Sequence, residues 1–504
     1  MTIVEIIHDR RMATLVVLTE RLTMKFAHHS PFTHRTTCRL SLASVTLAAT
    51  TSLGLLATAS VAAPPLIPAE AAVPGAVRTT DEQGTTVLTG SLASGATWEA
   101  RVPEAWNGTL VLYGHGFRGP GQNPAWDSRM DPTFDELARQ GYAVAASSYA
   151  TTGWALGTAV QDQLQTFQAF GRGFAQPQRT IAFGRSMGGL VTSLIAEVPG
   201  SGVDAAVSTC GLVGGGAALN NYQLDAAYAA SELLLPGQNH RLTGFTSPAE
   251  SAALTAAISE ALAEGQKTAE GRARIALVAA LLNTPTELDG VDRNDSLAMQ
   301  EAQARLVLET LPTVISRRSD IVNAADGDSG WTAGVDYNAM LMASPQAQQV
   351  RELYRMAGLD LKEDLGTLTT NADIEPSTAG LEWMLATSVP SGELQMPVLS
   401  THTLVDLLAP VEYQEEYAET IRKAGAGALI RQAFVDRDGH CNFSMAENVA
   451  SIHAIERRLD TGRWEDAAKA ENLDTAAESL GLGASEFVNF RPGEFINDRT
   501  WNGR

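Results

Sequence analysis

Thr180-Ile181-Ala182-Phe183-Gly184-Arg185-Ser186-Met187-Gly188-Gly189 is the stretch that decides the fold. Thr180–Phe183 is a short apolar run of the kind that forms a buried strand, and helical spacing runs from Gly188 to Glu197. Between them Gly-x-Ser-x-Gly makes a strand-to-helix turn tight enough to strain the Ser186 backbone and lift its hydroxyl clear of the sheet. Only small neighbours fit such a turn, which accounts for Gly184 and Gly188, while Gly189 lets the helix lie close to the strand. A glycine-rich turn with an incidental serine would give no reason for the strand before it and the helix after it.

Outward from this turn the pattern is regular. Upstream, Thr85–Leu92 and Thr97–Val102 alternate about a glycine-containing turn, and Thr109–Tyr113 is a short apolar run ending in Gly114. A helix-like Phe134–Gln140 then precedes the apolar run Tyr142–Ser147, and Val160–Phe174 has helical spacing. Downstream, Ala205–Thr209 is a further strand. Strands alternating with helices imply a mostly parallel central sheet with helices on both faces, an α/β class.

The alternation stops after Gly211 and resumes at Pro397–Thr401, followed by a helix over Val411–Ala424, a strand over Leu429–Val435 and a last helix over Met445–Leu459. The intervening stretch is helical. Ser247-Pro248-Ala249-Glu250 reads as a capping box with Gly265 at the far end, and Thr268–Leu282, Ser296–Val322 and Pro345–Met356 are further helices. The expected organisation is a signal segment over 1–62, a linker over 63–80, and a core over 81–215 and 396–462. A helical cap or lid over 216–395 divides that core between strands 6 and 7, and a tail over 463–504 is unassigned. An insertion at this place covers the strand ends where ligands bind in open α/β sheets. It is equally a candidate homo-oligomer interface.

A serine hydroxyl needs a base to take its proton. Asp436-Arg437-Asp438-Gly439-His440-Cys441 follows the last strand and precedes the last helix, which puts His440 on a loop at a strand's carboxyl end. His8, His28, His29 and His34 lie in or before the signal, His240 and His453 lie away from strand ends, and His115 and His402 flank the site without occupying the base position. The acid belongs after the preceding strand, where His402-Thr403-Leu404-Val405-Asp406 leads out. Asp406 is therefore expected to orient the imidazole, with Asp225 in reserve. The bland role for Asp406 is to cap the helix beyond Pro410. An oxyanion needs two backbone donors, expected from Met187 after the nucleophile and from Phe117 in Gly114-His115-Gly116-Phe117. Gly327-Asp328-Ser329-Gly330 lies in the helical stretch and reads as a turn. No Walker lysine follows a glycine-rich loop and neither C-x-x-C nor H-E-x-x-H occurs, so no metal and no cofactor is expected.

Composition narrows the partners. The chain has 504 residues, is 44% hydrophobic and 18% charged, and carries a net charge of -21. It can bury a sizeable core, and its acidity argues against nucleic acid and anionic membrane. Lys25, Arg35 and Arg39 precede an apolar small-residue stretch over Leu40–Ala63, with Ala57-Thr58-Ala59 and Ser60-Val61-Ala62 as cleavage sites and Met24 as an alternative start. This predicts a secreted protein with no membrane anchor once the signal is removed. A transmembrane anchor is the competing reading, but the stretch is rich in Ala, Thr and Ser and lacks a charged stop-transfer flank. Of three cysteines, Cys38 would leave with the signal, and Cys210 and Cys441 remain either as one disulfide or as two buried thiols.

Taken together, Gly114 to Phe117, Gly184 to Gly189, His402 to Asp406 with Pro410, and Gly439-His440 resemble the α/β-hydrolase superfamily over most of 80–460, less the insertion. More narrowly, Gly141 to Tyr149 and the Gly-His-Cys-x-Phe stretch at Gly439 to Phe443 are similar to secreted actinobacterial serine esterases, amidases and lactonases, the latter including enzymes that open macrocyclic mycotoxins such as zearalenone. The long insertion departs from the minimal pattern of the superfamily. The resemblance implies a Ser-Asp-His hydrolase of a hydrophobic small-molecule ester or lactone acting through an acyl-enzyme. A secreted exopeptidase or amidase is the alternative, and a non-catalytic binding protein is disfavoured because the reactive set is intact. Tyr222, Tyr228, Phe245, Trp331, Tyr337, Tyr354 and Trp383 in the insertion would either line an apolar pocket or form the insertion's own core.

Overall fold

The computed structural model describes residues 77–81, 84–245 and 247–501. The expected signal segment, its cleavage sites and nearly all of the expected linker lie outside these residues. Among the described residues four strands come first: β1 (Val77–Thr80), β2 (Thr86–Ser91), β3 (Thr97–Val102) and β4 (Thr109–Gly114). Helix α1 (Asp131–Arg139), β5 (Ala143–Ser147), α2 (Leu156–Gly173), β6 (Arg179–Arg185), α3 (Met187–Ile195) and β7 (Ala205–Thr209) follow. The sheet order is β1-β2-β3-β5-β4-β6-β7, continued by β8 (Val398–Val405), β9 (Ile430–Asp438) and β10 (Phe487–Val488). From β5 to β9 every neighbouring pair is parallel, while β1, β2, β3 and β10 pair antiparallel.

The central parallel strands β4, β5 and β6 are buried and largely apolar on both faces, as burial between two helical layers requires. In β4, Leu110 and Leu112 face one core, and Val111 and Tyr113 the other. The first core holds α2, α3 and the insertion. The second is closed by α1, α13 (Met445–Thr461) and α14 (Ala470–Leu480). Helix α13 is sealed by a capping box in which Ser444 and Glu447 satisfy each other's backbone N–H groups.

Among the described residues eight helices lie between β7 and β8: α4 (Gly215–Leu234), α5 (Pro248–Gly265), α6 (Ala269–Leu281), α7 (Ser296–Ala325), α8 (Tyr337–Ala343), α9 (Ala347–Ala357), α10 (Leu361–Asn371) and α11 (Thr378–Thr387). Helix α12 (Tyr413–Lys423) lies between β8 and β9. Two expectations are corrected. The insertion falls between the seventh and eighth strands, because Val77–Thr80 in the expected linker pairs with β2 as an added edge strand. Ser247 caps α5 in extended geometry without a side-chain cap bond, so the box expected there does not form. The stretch left unassigned packs on the core between 463 and 498: α14 lies on α13, β10 pairs with β9, and the Phe495 ring meets that of Tyr413 edge-on at 4.8 Å.

Within the insertion Arg318 and Asp328 form a buried bidentate pair. The carboxylate also accepts the Gly330 N–H, which explains the turn at Gly327–Gly330. Tyr222, Tyr228, Phe245, Trp331, Tyr337 and Tyr354 are all buried, and Trp383 is half-buried; Tyr228 and Tyr337 meet within the insertion, whereas Tyr222 packs against Tyr413 and Phe495 outside it and Trp383 lies beside Gly157. Among the described residues no helix is long and apolar enough to cross a membrane.

Candidate active site

Strand β6 delivers Ser186 into the left-handed region, at φ 56° and ψ -124°, immediately before α3. A side chain at Gly184 would meet the Gly188 carbonyl oxygen at 2.1 Å, and one at Gly188 would meet the Gly114 carbonyl oxygen at 2.0 Å. These approaches are the steric reason for the two glycines. The strain of a non-glycine residue at positive φ is held by the surrounding ladder, including the Ser186 N–H bond to the Thr209 carbonyl at 3.0 Å.

The structure brings His440 and Asp406 to the serine. His440 Nε2 lies 2.7 Å from Ser186 Oγ, and His440 Nδ1 lies 2.7 Å from Asp406 Oδ2. The other Asp406 oxygen accepts the N–H groups of Leu408 and Ala409, both at 3.0 Å, so this carboxylate holds the His440 ring and caps the following turn at once. Burial alone would raise the Asp406 carboxyl. The adjacent His440 and His402 rings and the Ala409 N–H outweigh it and hold the group below the usual carboxylate range. A carboxylate is acceptor-only, so Nδ1 carries the imidazole proton and Nε2 turns its lone pair to the serine hydroxyl.

Asp225 is not part of this chain of bonds. It sits buried on α4, where it accepts from the Tyr337 hydroxyl at 2.9 Å and the Asn497 amide at 2.7 Å. Sequence order alone could not separate the two aspartates; the structure places the reserve acid in the insertion's polar core. His115 lies beneath the site with its ring nitrogens 2.6 Å from the Gly116 carbonyl and 3.1 Å from that of Ser148, stacked on Tyr149 at 4.1 Å. Burial lowers its imidazole to about 4, so the ring stays neutral and shapes the Gly114–Phe117 loop. Gly116 lets that loop approach: a side chain there would stand 3.1 Å from Ser186 Cβ. Met187 opens α3, where backbone N–H groups lack intrahelical acceptors.

Cys210 and Cys441 form a disulfide with their Cα atoms 5.2 Å apart. Cys441 follows His440 directly, and Cys210 follows the residue whose carbonyl binds the Ser186 N–H. The bridge therefore fastens the His440 loop to the end of β7.

A cavity of about 240 Å³ opens over Ser186 and His440. The core lines it with Phe117, Trp154 and Leu212, and the insertion with Leu219, Val314 and Ile321. Arg129, Arg185, Arg317, Asp127 and Tyr113 also line it. Neither Trp154 nor Arg129 and Arg317 lies in a motif that the sequence could reveal. Among the described residues no cluster of side chains is suited to a metal ion.

The antiparallel-then-parallel sheet order, the serine on its tight turn and the histidine after the last parallel strand define an α/β-hydrolase fold. No protein-family profile matches the chain. A curated relative, the o-phthalyl amidase of Xanthobacter agilis, is 28% identical over 448 residues, covering 82% of this chain and 96% of the relative. Feruloyl esterase B from Aspergillus oryzae is 15% identical with a TM-score of 0.37, covering 77% of this chain and 86% of its own. The cell-wall-degrading esterase LipA from Xanthomonas oryzae is 12% identical with a TM-score of 0.37, covering 78% and 99%. These structural likenesses are remote, and the fold assignment rests on the strand order and the turn.

Proposed function

We propose that this protein is a serine hydrolase that cleaves a carboxylic acyl bond of a small, partly apolar molecule through an acyl-enzyme. The observation that carries the reading is the unbroken chain from Asp406 through His440 to Ser186, each link 2.7 Å. Ser186 Oγ attacks the carbonyl while His440 Nε2 takes its proton. The oxyanion is received by the N–H groups of Met187 and Phe117. His440 then returns the proton to the leaving oxygen or nitrogen, and the acyl group stays on Ser186. Water, deprotonated by the same imidazole, attacks the acyl-enzyme and frees the acid.

An ester or lactone is the bond expected from the residues. The similarity to the Xanthobacter amidase along nearly its whole length favours an amide as the second reading. The cavity admits at least a one-ring acyl group, since a cavity of about 150 Å³ already holds benzene. Export is proposed with this activity. A disulfide beside the base supports it, because such bonds persist in oxidising compartments.

The test is turnover of aryl esters, aryl anilides and a macrocyclic aryl lactone by the wild-type protein and Ser186→Ala. Loss of all turnover in the variant supports the reading, and the preferred substrate names the bond. Turnover that survives in the variant would overturn it.

A further inference from the structure

The loops at the carboxyl ends of the parallel strands are set around Ser186 in the order of the sheet. Trp154 follows β5, Phe117 follows β4, Ser186 follows β6, Leu212 follows β7, Asp406 follows β8 and His440 follows β9. The base therefore reaches the serine from one side of the sheet, and Trp154 stands on the other. The leaving atom must come within hydrogen-bond reach of His440 Nε2, which returns its proton. This puts the leaving group on the β8–β9 side and the acyl group on the β5 side, where the indole of Trp154 lines the cavity beside Phe117.

That indole is buried and braced from two sides. On the insertion's side its Nε1–H donates to Ser388 Oγ at 3.1 Å, just past the end of α11. A side chain at Gly216, in the first turn of α4, would stand 3.1 Å from the same ring. The Gly216 N–H donates to the Ser388 carbonyl at 2.8 Å, so the two ends of the insertion close on each other against Trp154. On the core's side the Gly153 N–H donates to the Arg118 carbonyl at 2.8 Å in an isolated antiparallel bridge. That bridge ties the Trp154 loop to the loop that carries the Phe117 N–H. A ring held in this way cannot swing aside for a larger ligand without leaving its buried N–H unpaired.

We propose that Trp154 is the end wall of the acyl site and sets the largest acyl group that Ser186 accepts. The proposal rests on the acyl-hydrolase reading and adds to it the residue that selects the acyl part. Short of the wall, each further methylene is buried against the apolar lining and raises kcat/KM about three- to fourfold. A chain that reaches the indole meets a braced ring, and the next methylene lowers kcat/KM about tenfold or more. Because the Trp154 loop is bonded to the Phe117 loop, an acyl group pressed against the indole also displaces an oxyanion donor. The loss therefore falls on kcat more than on KM.

The probes are para-nitrophenyl esters of straight-chain acids from acetate to decanoate, with spontaneous hydrolysis subtracted. A second series keeps acetate as the acyl group and lengthens an alkyl chain on the leaving phenol. The wild-type protein is expected to show a cut-off in the first series. Trp154→Ala should move that cut-off to longer acids, raising the kcat/KM ratio of the first rejected ester to the last accepted one about tenfold or more. The same variant should leave the relative rates of the second series as they were, and Trp154→Phe should move the cut-off less. A wild-type protein with no cut-off up to decanoate, a cut-off unmoved in Trp154→Ala, or an equal change in the second series would overturn the proposal. If Trp154→Ala fails to fold, Trp154→Phe and Ser388→Ala, which releases the indole N–H, carry the test, and an unchanged ratio in both would overturn it. Turnover surviving in Ser186→Ala would instead sink the acyl-hydrolase reading itself.

Discussion

Replacing Cys210 and Cys441 together by alanine tests how this site is held. The bridge spans a separation of 231 residues. Closing a loop of that length removes about 5 kcal/mol of chain entropy from the unfolded state, an upper value for the stabilisation. For a unit of this size about 1 kcal/mol moves Tm by roughly 1 °C, so Tm should fall by about 5 °C or somewhat less. The local effect on catalysis is smaller than the position of Cys441 beside the base suggests. Three other bonds hold the His440 loop: Gly439 N–H to the Val405 carbonyl at 2.8 Å, Thr403 hydroxyl to the Gly439 carbonyl at 3.1 Å, and Arg185 to the Cys441 carbonyl at 2.8 Å. What the bridge adds is restraint at Cys210 and Cys441, which both sit at positive φ, 44° and 61°, and relax once it is gone. A shift of the imidazole by a fraction of an ångström then lowers kcat about tenfold with little change in KM. Thermal unfolding and steady-state turnover, well below Tm, measure the two effects. A variant with unchanged Tm and kcat would refute the reasoning, as would one that is folded but wholly inactive.

Asp406→Asn should cost about 10⁴ in kcat. Its amide either points N–H at His440 and selects the wrong tautomer, or points N–H at the Leu408 and Ala409 donors; kinetics on a folded variant checks the loss. Arg318→Met leaves Asp328 buried without its cation and should destabilise the protein by about 3–5 kcal/mol, seen in denaturant titration, with the Arg318→Met/Asp328→Leu double variant recovering much of it. Burial pushes the Glu412 carboxyl up to about 7. Between the ordinary carboxylate range and that value the folded protein binds more protons than the unfolded chain, so this group's contribution to stability falls as pH rises toward 7 and stays lost above it. Glu412→Gln should flatten that part of the stability profile, measured by thermal unfolding from pH 4.5 to pH 8.

The parts legible in the sequence are those in which local chemistry and tertiary position coincide. Gly184-Arg185-Ser186-Met187-Gly188 is both a turn signal and the site, and His440 and Asp406 each follow a strand whose apolar run is plain. Val77–Thr80 was hidden because an exposed edge strand needs no apolar alternation; all four of its residues are exposed. Ser247 has the capping residues, but the box forms at Ser444, where Glu447 is also held by Arg437. The disulfide could not be read because pairing depends on a distance across 231 residues.

The central claim is that Ser186 is the nucleophile, and covalent labelling tests it most directly. The protein would be treated with phenylmethanesulfonyl fluoride, and the modified residue located by peptide mass mapping while activity is followed. The account predicts one label, on Ser186, gained in step with the loss of activity and slowed in His440→Ala. Activity that disappears while Ser186 stays unmodified, or survives with Ser186 fully labelled, would contradict it.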